Sequence, residues 1–93
     1  MAKLSDEAIR QALAGLPGWS LTPGGISKKF DLPAYPDAVA AVTRVGFEAE
    51  AAQHHPDVEM SWKRVTFTLT THDEGGVTES DVAMARKIEE LLG

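Results

Sequence analysis

At 93 residues, 43% hydrophobic and 25% charged, the chain has the size and composition of one folded domain and none of the apolar-poor, charge-rich character that keeps chains disordered. A net charge of -5 with only nine scattered basic residues excludes a phosphate-tracking surface, so neither nucleic acid nor a membrane is an expected partner. With no cysteine there is no disulfide framework, no thiolate nucleophile and no zinc-ribbon site.

The opening MAKLSDEAIRQ has no long apolar run after its lysine, so neither a signal peptide nor a membrane span is expected there, and the cytoplasm is the expected location. A first helix is predicted from about Ser5 to Gly15. Ser5 suits the N-cap, Asp6 and Glu7 complement the positive end of the helix dipole, and Ile9, Ala12, Leu13 and Leu16 recur at helical spacing. Leu4 and Ile9 are spaced for a hydrophobic staple. Gly15 and Pro17 stop the helix, and strands over Trp19 to Thr22 and Ile26 to Leu32 flank Pro23-Gly24-Gly25, which reads as a hairpin.

The second helix is predicted to open at Tyr35-Pro36-Asp37, where proline suits the first helical position, and to run toward Gln53. It must stop at His55, before Pro56. Val58-Met60-Trp62 and Val65-Phe67-Leu69 then alternate with polar residues and predict a second hairpin, turning at Lys63-Arg64 or centred on Lys63. Trp19 and Trp62 are expected in the core. Thr78-Glu79-Ser80-Asp81 resembles a capping box with Asp in place of Glu or Gln, and Ala85, Ile88, Leu91 and Leu92 continue a third helix. The prediction is a single α+β domain over residues 1–93, ordered α-β-β-α-β-β-α, with a four-stranded antiparallel sheet and three helices packed on one face. A domain this small hides only about 60–65% of its unfolded surface, so self-association is expected to help it.

The chain's three histidines are at positions 54, 55 and 72. Folding the second hairpin about Lys63-Arg64 brings His72 opposite His55, and folding it about Lys63 brings His72 opposite His54, so either register gathers all three. Imidazole titrates near pH ~6.5, so such a cluster holds both acid and base forms near neutrality. Glu50, four residues before His54 on the same helical face, is expected to orient that ring. Plainer readings stand beside these. A His-His-Pro segment at a helix end complements the negative end of the dipole, His72 reads by itself as a surface histidine, Gly75-Gly76 as a turn, and Asp81 as a capping partner. A three-histidine zinc site is a further rival, but the H-E-x-x-H spacing that puts two ligands on one helical face is absent and no metal is expected.

The stretch Glu50-Ala51-Ala52-Gln53-His54-His55-Pro56-Asp57 resembles the E-x-x-x-H-H-P motif of the pterin-4a-carbinolamine dehydratase family, known in animals also as dimerisation cofactors of a homeodomain transcription factor. The segment from Leu69 through Thr71-His72 to Val77-Thr78-Glu79-Ser80-Asp81 resembles the family's second histidine motif. Gly18-Trp19 matches an early Gly-Trp, and Trp62 an aromatic position in the second hairpin. The resemblance implies an α+β domain that forms homodimers or homotetramers and uses neither metal nor cofactor, the pterin being substrate. It implies that His54, His55 and His72 line the pterin pocket as catalytic residues, with Glu50, Asp81, Trp19, Pro56 and Thr71 binding substrate. The implied reaction is loss of water from 4a-hydroxytetrahydropterin to give quinonoid dihydropterin, recycling the pterin of aromatic amino acid hydroxylases. A working assignment gives His54 the proton of the 4a-hydroxyl, His72 the ring-nitrogen proton, and His55 a binding role. Val58 departs from the pattern, standing where many members carry a larger residue, often tryptophan. Two alternatives remain beside this reading: a binding module that helps a transcription factor dimerise, and an enzyme acting on another pterin.

Overall fold

Ser5 starts the first helix by accepting a hydrogen bond at Oγ from the Ala8 amide at 3.1 Å. The computed structural model describes residues 2–93. In chain order the elements are α1 (Asp6–Leu13), β1 (Ser20–Thr22), β2 (Gly25–Asp31), α2 (Tyr35–Ala52), β3 (Asp57–Ser61), β4 (Arg64–Leu69), a single 3-10 turn (His72–Glu74) and α3 (Glu79–Leu92). The predicted order of elements is therefore the observed one.

The strands form one antiparallel sheet in the order β1-β2-β4-β3, with β2 and β4 central. Because side chains alternate along a strand, Val65, Phe67 and Leu69 of β4 are buried while Thr66 and Thr68 point to the opposite face. Ile26 and Phe30 of β2 pair with Leu69 and Val65 and so share the buried face. Ile9 of α1, Val45 and Ala49 of α2, and Val82, Ala85 and Ile88 of α3 pack with them in one core, so all three helices bury their apolar stripes on one side of the sheet. Each Val, Ile, Leu or Phe so buried contributes about 1.5–3 kcal/mol. Among the described residues no helix is long and apolar enough to cross a membrane.

The second hairpin differs from both expected registers. Ser61 pairs with Arg64 and Asp57 with Thr68, which makes Trp62-Lys63 the loop. This pairing sets Val58 opposite Phe67 and Met60 opposite Val65, so it keeps apolar residues together as well as a turn at Lys63-Arg64 would have done. The hydrophobic pattern leaves that choice open, and turn geometry decides it. Trp62 takes φ 56 in the loop and is 64% exposed, so it is not the core aromatic its alternation suggested. Trp19, in contrast, is buried as expected.

All five residues of β3 are exposed, because it is an edge strand beyond the cover of the helices. Val58 and Met60 lie on the helix-facing side of the sheet and yet remain 44% and 39% exposed.

Candidate active site

The site begins where α2 ends. Gln53 adopts the left-handed conformation (φ 53, ψ 40), and the His54 amide bonds back to the Ala49 carbonyl at 3.0 Å. A left-handed cap redirects the chain away from the helix axis, so His54 leaves the α2 face it would have shared with Glu50. The expected Glu50–His54 pair is therefore absent. Glu50 Oε1 instead lies 2.8 Å from Nε2 of His55, on the exposed side of the turn. That hydrogen bond and the charge of the His55 ring hold the Glu50 carboxyl below its ordinary 4.5.

His54 turns inward to Asp81 near the start of α3, with Nε2 2.5 Å from Oδ1. Asp81 is fully buried, whereas the His54 side chain keeps 17% of its surface. The other carboxylate oxygen, Oδ2, accepts from the Thr71 hydroxyl at 2.8 Å and from the Thr78 amide at 2.8 Å. The second of these bonds is half of a complete capping box at the start of α3. Asp81 thus caps the helix, as its spacing suggested, and also holds the imidazole that was expected to pair with Glu50.

β4 delivers the third histidine. Past Leu69 the chain runs through Thr70 to Thr71, which bridges to Gly76 and closes a small loop around His72. His72 is exposed in the 3-10 turn, and among the described residues its ring has no hydrogen-bond partner. His54, His55 and His72 line one open cleft of about 310 Å³, together with Thr70, Thr71 and Asp73. A more apolar cavity of about 260 Å³ adjoins it at His54, between Ala52 of α2 and Ala83 and Met84 of α3.

The other sequence-derived site residues are placed as follows. Thr71 lines the cleft, but its hydroxyl is committed to Asp81 and Thr78. Glu50 reaches the cleft only through His55. Pro56 is half-buried and does not line the cleft. Trp19 is also away from it, with its ring edge-on to Phe30 and its indole N–H on Glu89, two turns along α3 from Asp81. Thr78, whose hydroxyl joins the network around Asp81, was not singled out from sequence as part of the site. Its place at an N-cap, three residues before a buried acid, was the available signal.

Among the described residues no three histidine or carboxylate side chains are grouped to hold a metal ion. The paired rings explain this in part, because His54 and His55 each commit Nε2 to a different carboxylate. The chemistry these side chains offer is proton transfer.

The sequence matches the family model for pterin 4 alpha carbinolamine dehydratase over residues 2–91. The chain belongs to the pterin-4a-carbinolamine dehydratase family. Relatives provisionally named pterin-4-alpha-carbinolamine dehydratase include one from Chloroflexus aurantiacus, 48% identical with all of both chains aligned. Another, from Mycobacterium sp. (strain KMS), is 47% identical over 99% of this chain and 98% of its own. A crystal structure described as a transcriptional coactivator/pterin dehydratase from Brucella melitensis superposes with a TM-score of 0.92 at 34% identity, covering 98% of this chain and 99% of the other. The family's defining reaction is a dehydration, which makes its enzymes hydro-lyases.

Proposed function

We propose that this chain dehydrates 4a-hydroxytetrahydropterins to quinonoid dihydropterins by acid–base catalysis at His54, His55 and His72, without metal or cofactor. The observation that carries the reading is the shared cleft: three imidazoles from two separate segments line one opening of about 310 Å³, near the lower end of the range for small-molecule sites. In the reaction the lone pair of the ring nitrogen next to C4a forms a C=N bond as the C4a–O bond breaks. One imidazolium gives its proton to the departing oxygen, which leaves as water, and an imidazole takes the proton from the ring nitrogen. Each positioned group is worth roughly 10²–10⁴-fold.

The division of labour follows the partners. His54 backs onto a buried carboxylate that can balance a positive charge on its ring, which suits the group that protonates the hydroxyl. His72 has no such partner among the described residues, which suits the group that accepts a proton. His55 sits on the exposed Glu50 and serves mainly to bind. The test is to replace each histidine by alanine and to follow dehydration of freshly generated carbinolamine. Falls of roughly 10²-fold or more for His54→Ala and His72→Ala are expected. Unchanged turnover in all three variants overturns the reading.

Two further parts belong to the same proposal. The enzyme acts in the cytoplasm as part of pterin recycling for aromatic amino acid hydroxylation. It also works as a homo-oligomer joined through β3, whose unpaired edge and exposed Val58 and Met60 suit pairing with the same strand of a second copy. A coactivator role is the second reading, favoured by the description of the Brucella melitensis relative and by Phe47, which is 74% exposed on α2. Loss of partner binding on Phe47→Ala with dehydration intact would establish that role.

A further inference from the structure

Asp81 carries more hydrogen bonds than a helix cap needs. A cap uses one acceptor oxygen on one backbone amide, usually at the surface, but here the carboxylate is 0% exposed and receives three donors. Burying a carboxylate is costly unless its oxygens are fully bonded, so such a group persists where each partner is held in place. Its Oδ1 faces only the ring of His54 in the hydrogen-bond network.

The proton positions follow from counting. Thr71 has one hydroxyl proton and gives it to Asp81 Oδ2, so in its 2.9 Å contact with Thr78 it must accept. Thr78 therefore donates to Thr71, while its oxygen accepts from the Ser80 amide at 3.2 Å. The chain of donors runs one way, from Thr78 to Thr71 to Asp81. With the carboxylate accepting at both oxygens, the His54 nitrogen facing it must be the one that carries a proton.

We propose that Asp81 is a positioning residue for His54: with Thr71 and Thr78 behind it, it fixes the neutral ring in its Nε2–H form and leaves Nδ1 as the nitrogen available to a ligand in the cleft. Thr71 then acts on the site through Asp81, not by touching substrate. The kinetic consequence rests on the dehydratase reading, but the tautomer does not.

The amide variant Asp81→Asn gives a sharp test. The Thr71 hydroxyl and the Thr78 amide both need an acceptor, so the Asn oxygen stays with them and its NH₂ group turns to His54. A donor then faces Nε2, and the neutral ring must move its proton to Nδ1. Long-range ¹H–¹⁵N spectra of histidine-labelled protein, recorded at a pH raised until the His54 ring shows a single ring proton, read this directly. Wild type is expected to show protonated Nε2 at His54, and Asp81→Asn protonated Nδ1. In the same variant kcat should fall roughly 10²-fold with little change in KM, and Asp81→Asn should add almost nothing in a His54→Ala background. Thr71→Val leaves the helix cap itself intact and should lower kcat roughly 10-fold, with Thr71→Ser restoring it. Protonated Nδ1 in wild type, or an Asp81→Asn protein with an unchanged His54 tautomer, overturns the proposal. If the wild-type tautomer is as stated but no pterin carbinolamine is dehydrated, the functional reading falls and the positioning role stands.

Discussion

Trp19 donates its indole N–H to Oε1 of Glu89 at 3.0 Å, and Lys28 reaches that same oxygen while also donating to the Pro17 carbonyl at 2.8 Å. The Lys28 ammonium also lies 4.6 Å from the centre of the Phe30 ring, which packs edge-on against Trp19. The loop after α1, strand β2 and the last turns of α3 are thus tied at one point. Trp19→Phe, which keeps an aromatic ring and loses the donor, should lower stability by about 1–2 kcal/mol in urea unfolding, and Trp19→Ala by about 3–5 kcal/mol. Because Trp19 lies outside the histidine cleft, KM for pterin should not change in Trp19→Phe. A raised KM in the folded variant would show that the ring reaches substrate.

Glu50 and His55 should show their pairing in the acid limb of stability. A carboxyl held below its ordinary 4.5 adds stability above that value and loses it as pH falls through the lower folded-state value. The stability difference between wild type and Glu50→Gln should therefore be steady just above 4.5 and shrink on further acidification, as followed by urea unfolding at stepped pH. A difference that grows toward acid would contradict the pairing.

The homo-oligomer proposed to join through β3 should be easy to break selectively. Met60→Lys or Val58→Lys puts an ammonium on an already exposed position, so the monomer fold should survive with far-UV circular dichroism unchanged. Light scattering should then report a smaller species than wild type. Equal masses for both variants and wild type would remove β3 from the interface.

Gly25 is held where no other residue fits. Its φ is 133°, and a Cβ there would meet the Leu69 carbonyl oxygen at 2.1 Å. Gly25→Ala should cost about 3 kcal/mol or more, since both strain and a backbone clash must be relieved. The displaced backbone is Leu69-Thr70, two residues before His72, so the loss of activity on heating should come earlier in this variant.

Much of this molecule was legible before folding because its rules are local. Period-3.6 and period-2 patterns, Ser5 and Thr78 at helix starts and Pro56 after α2 set the elements in order. The histidine cluster was legible too, but for a partly mistaken geometric reason. The true pairing of Ser61 with Arg64 would bring Thr71, not His72, level with His54, and His72 reaches the cleft through the loop closed by Thr71 and Gly76. Helical spacing assigned Glu50 to His54, which fails because Gln53 is left-handed and ends the spacing one residue too soon. Trp62 failed for a similar reason, since it too takes a positive φ and sits in the loop after β3, where strand alternation no longer sets which way a side chain points.

Position 81 also limits how this chain can be improved. Glutamate is the commoner acid for reaching back to a helix N-cap, so a designer seeking a sturdier α3 would be drawn to Asp81→Glu. The added methylene would carry the carboxylate past the 2.5 Å approach to His54 and away from Thr71. Robustness and turnover compete there for the same few atoms, and a short acid is the compromise that serves both.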